Sequence, residues 1–109
     1  MFDGLWTVEF TSAMGLFGRG VLVIKDNKMV GGDMGYYYSG TFTTHGDTIK
    51  GSIEITRFDP NAISILGDIE RFSLDFQAKT ADGTFEGSAA PMDNPALKVN
   101  FKGIKREDM

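Results

Sequence analysis

The single histidine is the first residue to weigh for catalysis. His45 stands beside Gly46 and Asp47 in a segment whose composition favours a turn. A Ser-His-Asp site would also need an activated serine, and the chain has no G-x-S-x-G sequence to present one. A zinc site needs several His or Cys ligands, whereas the chain has one histidine and no cysteine. His45 is therefore interpreted as a solvated turn residue.

Carboxylates are the remaining candidates for acid–base chemistry, and their spacing pairs no two of them. Several alternate with apolar residues and are expected to face solvent, namely Glu9, Glu54, Asp75 and Glu86. Asp33 differs because it follows two glycines, and we expect it to cap a bulge by accepting backbone N–H groups. The sequence therefore predicts a protein that is not an enzyme and that binds no cofactor and no metal.

Length and charge bound the class of protein. The chain has 109 residues, so residues 1–109 are expected to form one domain. Its formal net charge of −4 disfavours nucleic acid as a partner, because phosphate contacts need clustered positive charge. Apolar runs are far shorter than the ~20 residues that span a bilayer, so no membrane partner is expected. With no cysteine and no N-terminal secretion signal, a cytoplasmic protein is favoured.

Alternation of apolar and polar residues predicts an all-β chain. The predicted strands span residues 5–12, 19–25, 28–30, 36–44, 48–58, 70–80, 84–90 and 97–105. Asp26-Asn27 and Asp82-Gly83 predict hairpin turns, the second of type I′. Gly31-Gly32 predicts a bulge or bend that interrupts its strand. Residues 62–69 fit a helical turn or an irregular crossover, and residues 106–109 a frayed tail.

Eight short strands joined by hairpin-sized turns predict a small antiparallel up-and-down barrel. Closing the sheet removes two edge strands that would otherwise be open to other chains. A two-sheet sandwich is the alternative, since residues 59–69 are long enough to cross between sheets. In the barrel, Trp6 leads the inward face of the first strand, which would close against the last, and we expect it to be buried.

Large apolar side chains face the interior of this barrel and define a candidate ligand site. Its residues are Trp6, Phe10, Tyr38, Phe42, Phe72 and Phe85. An eight-stranded barrel is just wide enough to be filled by side chains or to hold one small ligand. The interior is therefore either a packed core or a pocket for a small apolar, lipid-like ligand, with room left at Gly20, Gly40, Gly51 and Gly87.

Alternation also places Tyr37 outward, between two tyrosines that face the interior. An exposed tyrosine suits a dimer or partner contact, although cross-strand aromatic pairing would also account for it. The candidate partner-binding residues are Tyr37, His45 and Asp47. Near the C-terminus, basic residues form either a solvated strand face or a contact for an acidic partner: Lys98, Lys102, Lys105 and Arg106.

Spaced residues in the N-terminal half carry a family resemblance. They are Asp3-Gly4, Trp6, Phe10, Ser12, Gly18, Gly20-Val21-Leu22, Gly31-Gly32-Asp33, Tyr38 and Gly40, with Ser64 and Gly67 as weaker anchors further on. The pattern resembles the GrlR family, known for a negative regulator of bacterial type III secretion. The resemblance implies a small lipocalin-like β-barrel that forms homodimers and has an apolar interior.

The family's regulator binds its partner, a transcriptional activator, through alternating Glu and Asp in the turn after the fourth strand. The corresponding turn here, residues 43–47, has Asp47 as its one acidic residue. The resemblance implies a non-enzymatic, regulatory binding protein with a transcriptional regulator as partner. The alternative is a carrier or sensor of a small apolar ligand held inside the barrel.

Overall fold

The computed structural model describes residues 2–12, 15, 17–63 and 70–109. Strands in this part of the chain are β1 (Gly4–Ser12), β2 (Phe17–Lys25), β3 (Lys28–Gly32), β4 (Tyr36–His45), β5 (Thr48–Arg57), β6 (Arg71–Ala81), β7 (Thr84–Ala90) and β8 (Val99–Asp108). Each strand pairs antiparallel with the next, and β8 pairs with β1 to close the sheet. The all-β up-and-down barrel is confirmed, and the sandwich alternative is wrong.

Alternation of side chains decides which face of each strand turns inward. In β6 the inward residues are Phe72, Leu74, Phe76 and Ala78, and the polar residues between them are exposed. Period-two burial of this kind is what a strand with one wet face requires. None of the described segments is a helix with the length and hydropathy of a membrane span.

Two turns differ in backbone conformation although both have two residues. Asp26 and Asn27 have φ angles of 52° and 63°, which fits the predicted tight turn between β2 and β3. In the β6–β7 turn only Gly83 has a positive φ, at 75°, so the type I′ prediction for Asp82-Gly83 is wrong. A type I′ turn needs positive φ at both central residues.

Gly31 and Gly32 continue β3 instead of interrupting it. They pair in register with Tyr38 and Tyr37 of β4, so the predicted bulge is wrong. A β-carbon on Gly31 would overlap the carbonyl oxygen of Val21, so glycine serves close strand approach here. The barrel's register shift lies between β1 and β8, at Leu5 and Trp6.

The C-terminal residues belong to the barrel wall. Glu107 and Asp108 pair with Leu5 and Gly4, and Lys105 Nζ lies 2.7 Å from Asp108 Oδ1. The predicted frayed tail at residues 106–109 is therefore wrong for residues 106–108. The uncertain segment predicted at residues 62–69, with anchors Ser64 and Gly67, falls mostly on residues 64–69, outside the described residues.

The two ends of the barrel differ in their connections. Two-residue turns at 26–27, 46–47 and 82–83 lie at one end, here called the tight-turn end, together with residues 2–4. At the other end, here called the loop end, β1, β3, β5 and β7 finish and β2, β4, β6 and β8 begin. The tight-turn end is covered by the N-terminal segment, because Trp6 Nε1 donates to Phe2 O at 2.8 Å and the Phe2 ring packs edge-on against Phe42 at 5.7 Å.

The strand register sets the width of the barrel. The paired residues can be followed from β1 around the barrel in both directions until the two paths meet on β4. One path leads from Gly4 through β2 and β3 to Gly40. The other leads from Ser12 through β8, β7, β6 and β5 to Phe42. Gly4 and Ser12 are eight positions apart in β1, and Gly40 and Phe42 are two positions apart in β4. A path that goes once around the barrel therefore returns to β1 ten residues from its start, and this displacement is the stagger at closure. Eight strands with this stagger tilt by about 41° around a radius of about 8 Å, a size that inward side chains can fill.

Trp6 is the largest side chain buried almost completely, at 1% exposure, as predicted. Its ring lies 4.8 Å from that of Phe85 across the interior, while Lys105 of the paired strand lies 6.0 Å above it. Ile24 is buried to the same extent. These residues form the closed half of the core, toward the tight-turn end.

Replacement of Trp6 by alanine should destabilise the barrel by about 3–5 kcal/mol, the range for deletion of a large buried aromatic side chain. Urea unfolding followed by circular dichroism measures the change. The matched control is Met34→Ala, which removes apolar atoms from a side chain that is 93% exposed and should change stability by less than about 0.5 kcal/mol. Equal stability of Trp6→Ala and the unsubstituted protein would contradict the role of this ring.

Candidate functional sites: interior and outer wall

All six predicted ligand-binding residues point into the barrel, but their ring contacts are distributed along it. Trp6 contacts Phe85, and Phe10 packs edge-on against Tyr38 at 6.4 Å. Phe42 contacts Phe2 at the tight-turn end. Phe72 packs against Tyr36, which is not among the six, at 6.3 Å. The rings thus fill successive levels of the interior instead of surrounding one space.

Inward glycines make room for the chain's own aromatic rings. A β-carbon on Gly18 would overlap the ring of Phe10, and one on Gly103 would overlap the ring of Phe85. At Gly20 it would meet the Tyr38 hydroxyl. The space expected for a ligand at Gly20 is therefore occupied. At the other three positions a β-carbon would overlap the backbone of the neighbouring strand: Gly40, Gly51 and Gly87.

The half of the interior nearer the loop end contains both buried and partly buried side chains, and Tyr36, Ala89 and Val99 are among the buried ones. The partly buried large residues of the inward faces are Phe10, Ile53, Ile55, Phe72 and Phe101, and all lie in the half nearer this end. Around the same end stand exposed apolar side chains: Phe17, Met34, Phe58, Ile63 and Met92.

Asp33 forms the polar centre of the β3–β4 turn. Its Oδ1 accepts the backbone N–H groups of Gly35 and Tyr36, each at 2.9 Å, as predicted. Its Oδ2 accepts the hydroxyl of Tyr38. Burial of the ring, together with the hydrogen bond to and negative charge of Asp33, raises the pKa of Tyr38 well above its ordinary value. Both carboxylate oxygens are thus engaged in holding the turn against the core.

The three predicted partner-binding residues do not form one surface. Tyr37 lies on the outer face of β4 near the loop end, whereas His45 and Asp47 lie at the tight-turn end. Eight residues of extended strand separate Tyr37 from His45, or about 26 Å. His45 Nε2 lies 3.2 Å from Thr43 Oγ1, and Asp47 O accepts hydrogen bonds from the Thr80 backbone and side chain. Asp47 therefore contributes to joining two hairpins.

The basic cluster predicted near the C-terminus is divided between faces. Lys102 lies outward, 3.9 Å from Glu86, whereas Lys105 lies on the inward side and pairs with Asp108. Arg106 Nε donates to Thr7 Oγ1 at 2.9 Å. Lys98 and Lys102 line an open outer groove of about 770 Å³ that also contains Glu9 and Glu86. Lys79 also lines this groove, so the positive charge of its three lysines is partly offset by the two carboxylates.

An apolar stripe on the outer wall was missed in the sequence analysis. Cross-strand pairing aligns Ile104, Thr7, Val21, Gly32 and Tyr37 across five strands, from β8 to β4. A second row joins Leu5, Val23 and Val30. Four of these side chains are between 39% and 54% exposed. We call this set of outward-facing residues the apolar wall: Leu5, Val21, Val23, Val30, Tyr37 and Ile104.

Apolar residues on both faces of β2 were the available signal for the apolar wall, because Val21 and Val23 face outward between the inward Leu22 and Ile24. Their significance depends on Val30 and Ile104, which only the register brings alongside. The outer faces of β4, β5 and β6 differ, since they carry hydroxyl groups at Ser39, Thr41, Thr43, Ser52 and Ser73.

Among the described residues, no three His, Cys, Asp or Glu side chains come together in a way that could hold a metal ion. No protein-family model matches the chain, and no curated protein matches it significantly. The resemblance to GrlR regulators therefore rests on the residues quoted for it above.

Replacement of Tyr38 by phenylalanine should lower the free energy of unfolding by about 1–3 kcal/mol, because Asp33 loses a buried hydrogen-bond donor. Tyr37→Phe, next along the strand but outward and 47% exposed, is the matched control and should change stability by less than about 0.5 kcal/mol. Urea unfolding of the two variants makes the comparison. Equal effects of the two substitutions would contradict the assigned role of the Tyr38 hydroxyl.

Stability should also decrease at alkaline pH through Tyr38. Its pKa is raised in the folded protein, so above about pH 10 the unfolded chain loses a proton that the folded protein keeps. The contribution of Tyr38 to the free energy of unfolding is complete below the tyrosine pKa of the unfolded chain and is lost as pH rises above it. Urea unfolding between about pH 8 and about pH 11 should therefore show a weaker pH dependence in Tyr38→Phe. Parallel curves for the two proteins would rule this out.

Proposed function

We propose that this chain is a non-enzymatic, regulatory binding protein that binds other protein chains through the apolar wall. The observation that carries the proposal is the exposure of Val21, Val30, Tyr37 and Ile104 on adjoining strands. Scattered surface apolar residues are ordinary, but a contiguous apolar patch is typical of an interaction surface. Tyrosine at its margin adds a large side chain that combines apolar contact with a hydrogen-bonding hydroxyl.

Curvature and charge favour a protein as the occupant of this wall. A barrel wall is convex, so a small ligand would touch only a few side chains, whereas another protein can cover the whole patch. Lys25, Lys28 and Arg106 border the patch, beside Asp26 and Glu107. Both signs of charge are therefore present at the rim, where polar groups set the orientation of a partner.

A second copy of the chain is the first partner to test, because the resemblance to GrlR regulators implies a homodimer. By the same resemblance, a transcriptional regulator is the partner whose activity the protein would control. The acidic turn that binds the activator in that family has only Asp47 as its counterpart here. We therefore propose that the apolar wall, instead of residues 43–47, supplies the main contact.

Sedimentation equilibrium at micromolar concentration should give the mass of a dimer for the unsubstituted protein. The double variant Val21→Lys, Val30→Lys should sediment as a monomer, because it places charges in the centre of the apolar contact. The matched control, Ser52→Lys with Ser73→Lys, introduces the same charges on the hydroxyl-bearing wall and should remain dimeric. A monomer mass for the unsubstituted protein would disprove dimerisation.

A small apolar ligand is the second candidate partner, favoured by the partly buried Phe10 and Phe72 near the loop end. If the interior opens there, a fluorescent apolar dye should bind with about 1:1 stoichiometry. Phe72→Trp, which enlarges a ring at that end, should weaken the dye's affinity, whereas Val30→Thr on the outer wall should not. Absence of dye binding would leave protein binding as the function of the barrel.

A further inference from the structure

The first part of β2 has a neighbour on only one side. Phe17 to Gly20 pair with β1, but β3 pairs only with Val21 to Lys25. β3 ends at Gly32, and residues 33–35 turn the chain into β4. The hairpin of β1 and β2 therefore extends past the hairpin of β3 and β4 at the loop end. Among the described residues, β2 therefore presents an unpaired sheet edge over Phe17 to Gly20, as β6 does over Arg71 to Leu74, where β7 does not reach.

Hydrogen-bond alternation shows which main-chain groups face this edge. Lys25 and Lys28 flank a two-residue turn and so exchange both of their hydrogen bonds. Every second residue of β2 then directs its N–H and C=O toward β3, which assigns Phe17 and Arg19 to the open side. Gly18 and Gly20 direct theirs toward β1. In the described part of the chain, no backbone hydrogen bond reaches the edge-facing groups of Phe17 and Arg19.

We propose that this edge, Phe17 to Gly20, binds a short extended segment of another protein by strand addition, antiparallel to β2. Strand addition satisfies the two N–H and two C=O groups with main-chain bonds and leaves specificity to alternate side chains. Proteins commonly protect exposed edges with lysine, proline or bulges. Phe17 to Gly20 contains neither lysine nor proline, and its pairing with β1 is regular.

Side chains along the edge define the chemistry of the added segment. Phe17 and Arg19 point outward, with Phe17 52% exposed, so an apolar residue fits opposite the ring and an acidic residue opposite the guanidinium. Arg19 Nε is 3.9 Å from Glu9 Oε1, in a pair whose side chains are 73% and 55% exposed. Opposite Gly18 the residue must be small, because the Phe10 ring fills the inward side.

A second copy of this chain fits the edge less well than an acidic segment. Antiparallel pairing of two β2 edges about Gly18 would place Arg19 of each copy opposite Phe17 of the other, so that neither arginine would gain a carboxylate from the other copy. The inferred segment instead has, in its own chain order, an acidic residue opposite Arg19, a small residue opposite Gly18 and an apolar residue opposite Phe17.

The probe is the capped peptide acetyl-Thr-Asp-Ala-Val-Thr-amide. It is titrated into the protein to about 5 mM, and binding is followed by the chemical shifts of the protein's backbone amides. Saturable shifts should centre on Phe17 and Arg19. N-methylation of the peptide's aspartate or valine, whose N–H groups face β2, should weaken affinity about tenfold, the effect of one main-chain hydrogen bond. N-methylation of its alanine, whose N–H faces away, is the matched control and should be tolerated.

Protein variants test the same contact from the other side. Arg19→Pro removes an N–H at an edge position where proline is tolerated, and should weaken binding about tenfold. Ser73→Pro removes the corresponding N–H on the β6 edge, where β7 does not reach, and should leave affinity unchanged. Val30→Lys should also bind the peptide normally, which separates strand addition from binding at the apolar wall.

Three results would overturn the proposal. The first is the absence of saturable shifts at Phe17 and Arg19. The second is equal affinity of the peptide methylated at aspartate or valine and the peptide methylated at alanine. The third is a dimer joined at this edge that the peptide does not displace. If Arg19→Pro does not give the amide spectrum of a folded barrel, the comparison between the peptides methylated at an edge-facing residue and at alanine tests the proposal without that variant.

Discussion

Pairing of β1 with β8 is the interaction on which the rest of the structure depends. It joins residues between 87 and 104 positions apart in sequence and converts a meander of hairpins into a closed wall. Closure creates an inside, so that one face of every strand becomes core and the Trp6 side chain is 1% exposed. Before closure, the inward faces of the separate hairpins would be open to water. The C-terminal residues 106–108 are therefore structural, because they complete this seam.

Closure with a stagger of ten residues also explains why the interior is crowded. A barrel of this size leaves a channel that a few aromatic rings fill, and the inward glycines at positions 18, 20 and 103 lie where rings of neighbouring strands need space. The same stagger leaves strand ends at different heights. Where a short strand follows a long one, as β3 follows β2, the wall is incomplete and an edge of β2 remains open. The surfaces proposed for binding are therefore the outer wall, this edge and the loop end.

The candidate sites differ in how far sequence reasoning reached them. Inward orientation of Trp6, Tyr38 and Phe85 was predictable, because alternation is a local property of each strand. The contact of Asp33 with the turn was predictable as well, since aspartate after two glycines commonly accepts backbone N–H groups. Its bond to Tyr38 joins two strands and depends on their register. The apolar wall was not recognised, because Val21, Val30 and Ile104 come from three separate strands.

The sequence by itself determined the secondary structure: eight strands, their inward faces and most of their turns. These properties follow from period-two patterning and from residues such as Asn27 that tolerate positive φ, and both act within a few residues. Only the tertiary structure decided which rings meet, which glycines support them, and that Gly31 and Gly32 remain within β3. It also decided where the wall is apolar and where it is open. Such features depend on the register between strands and on the stagger at closure, and a one-residue change in either would give the same strands different neighbours.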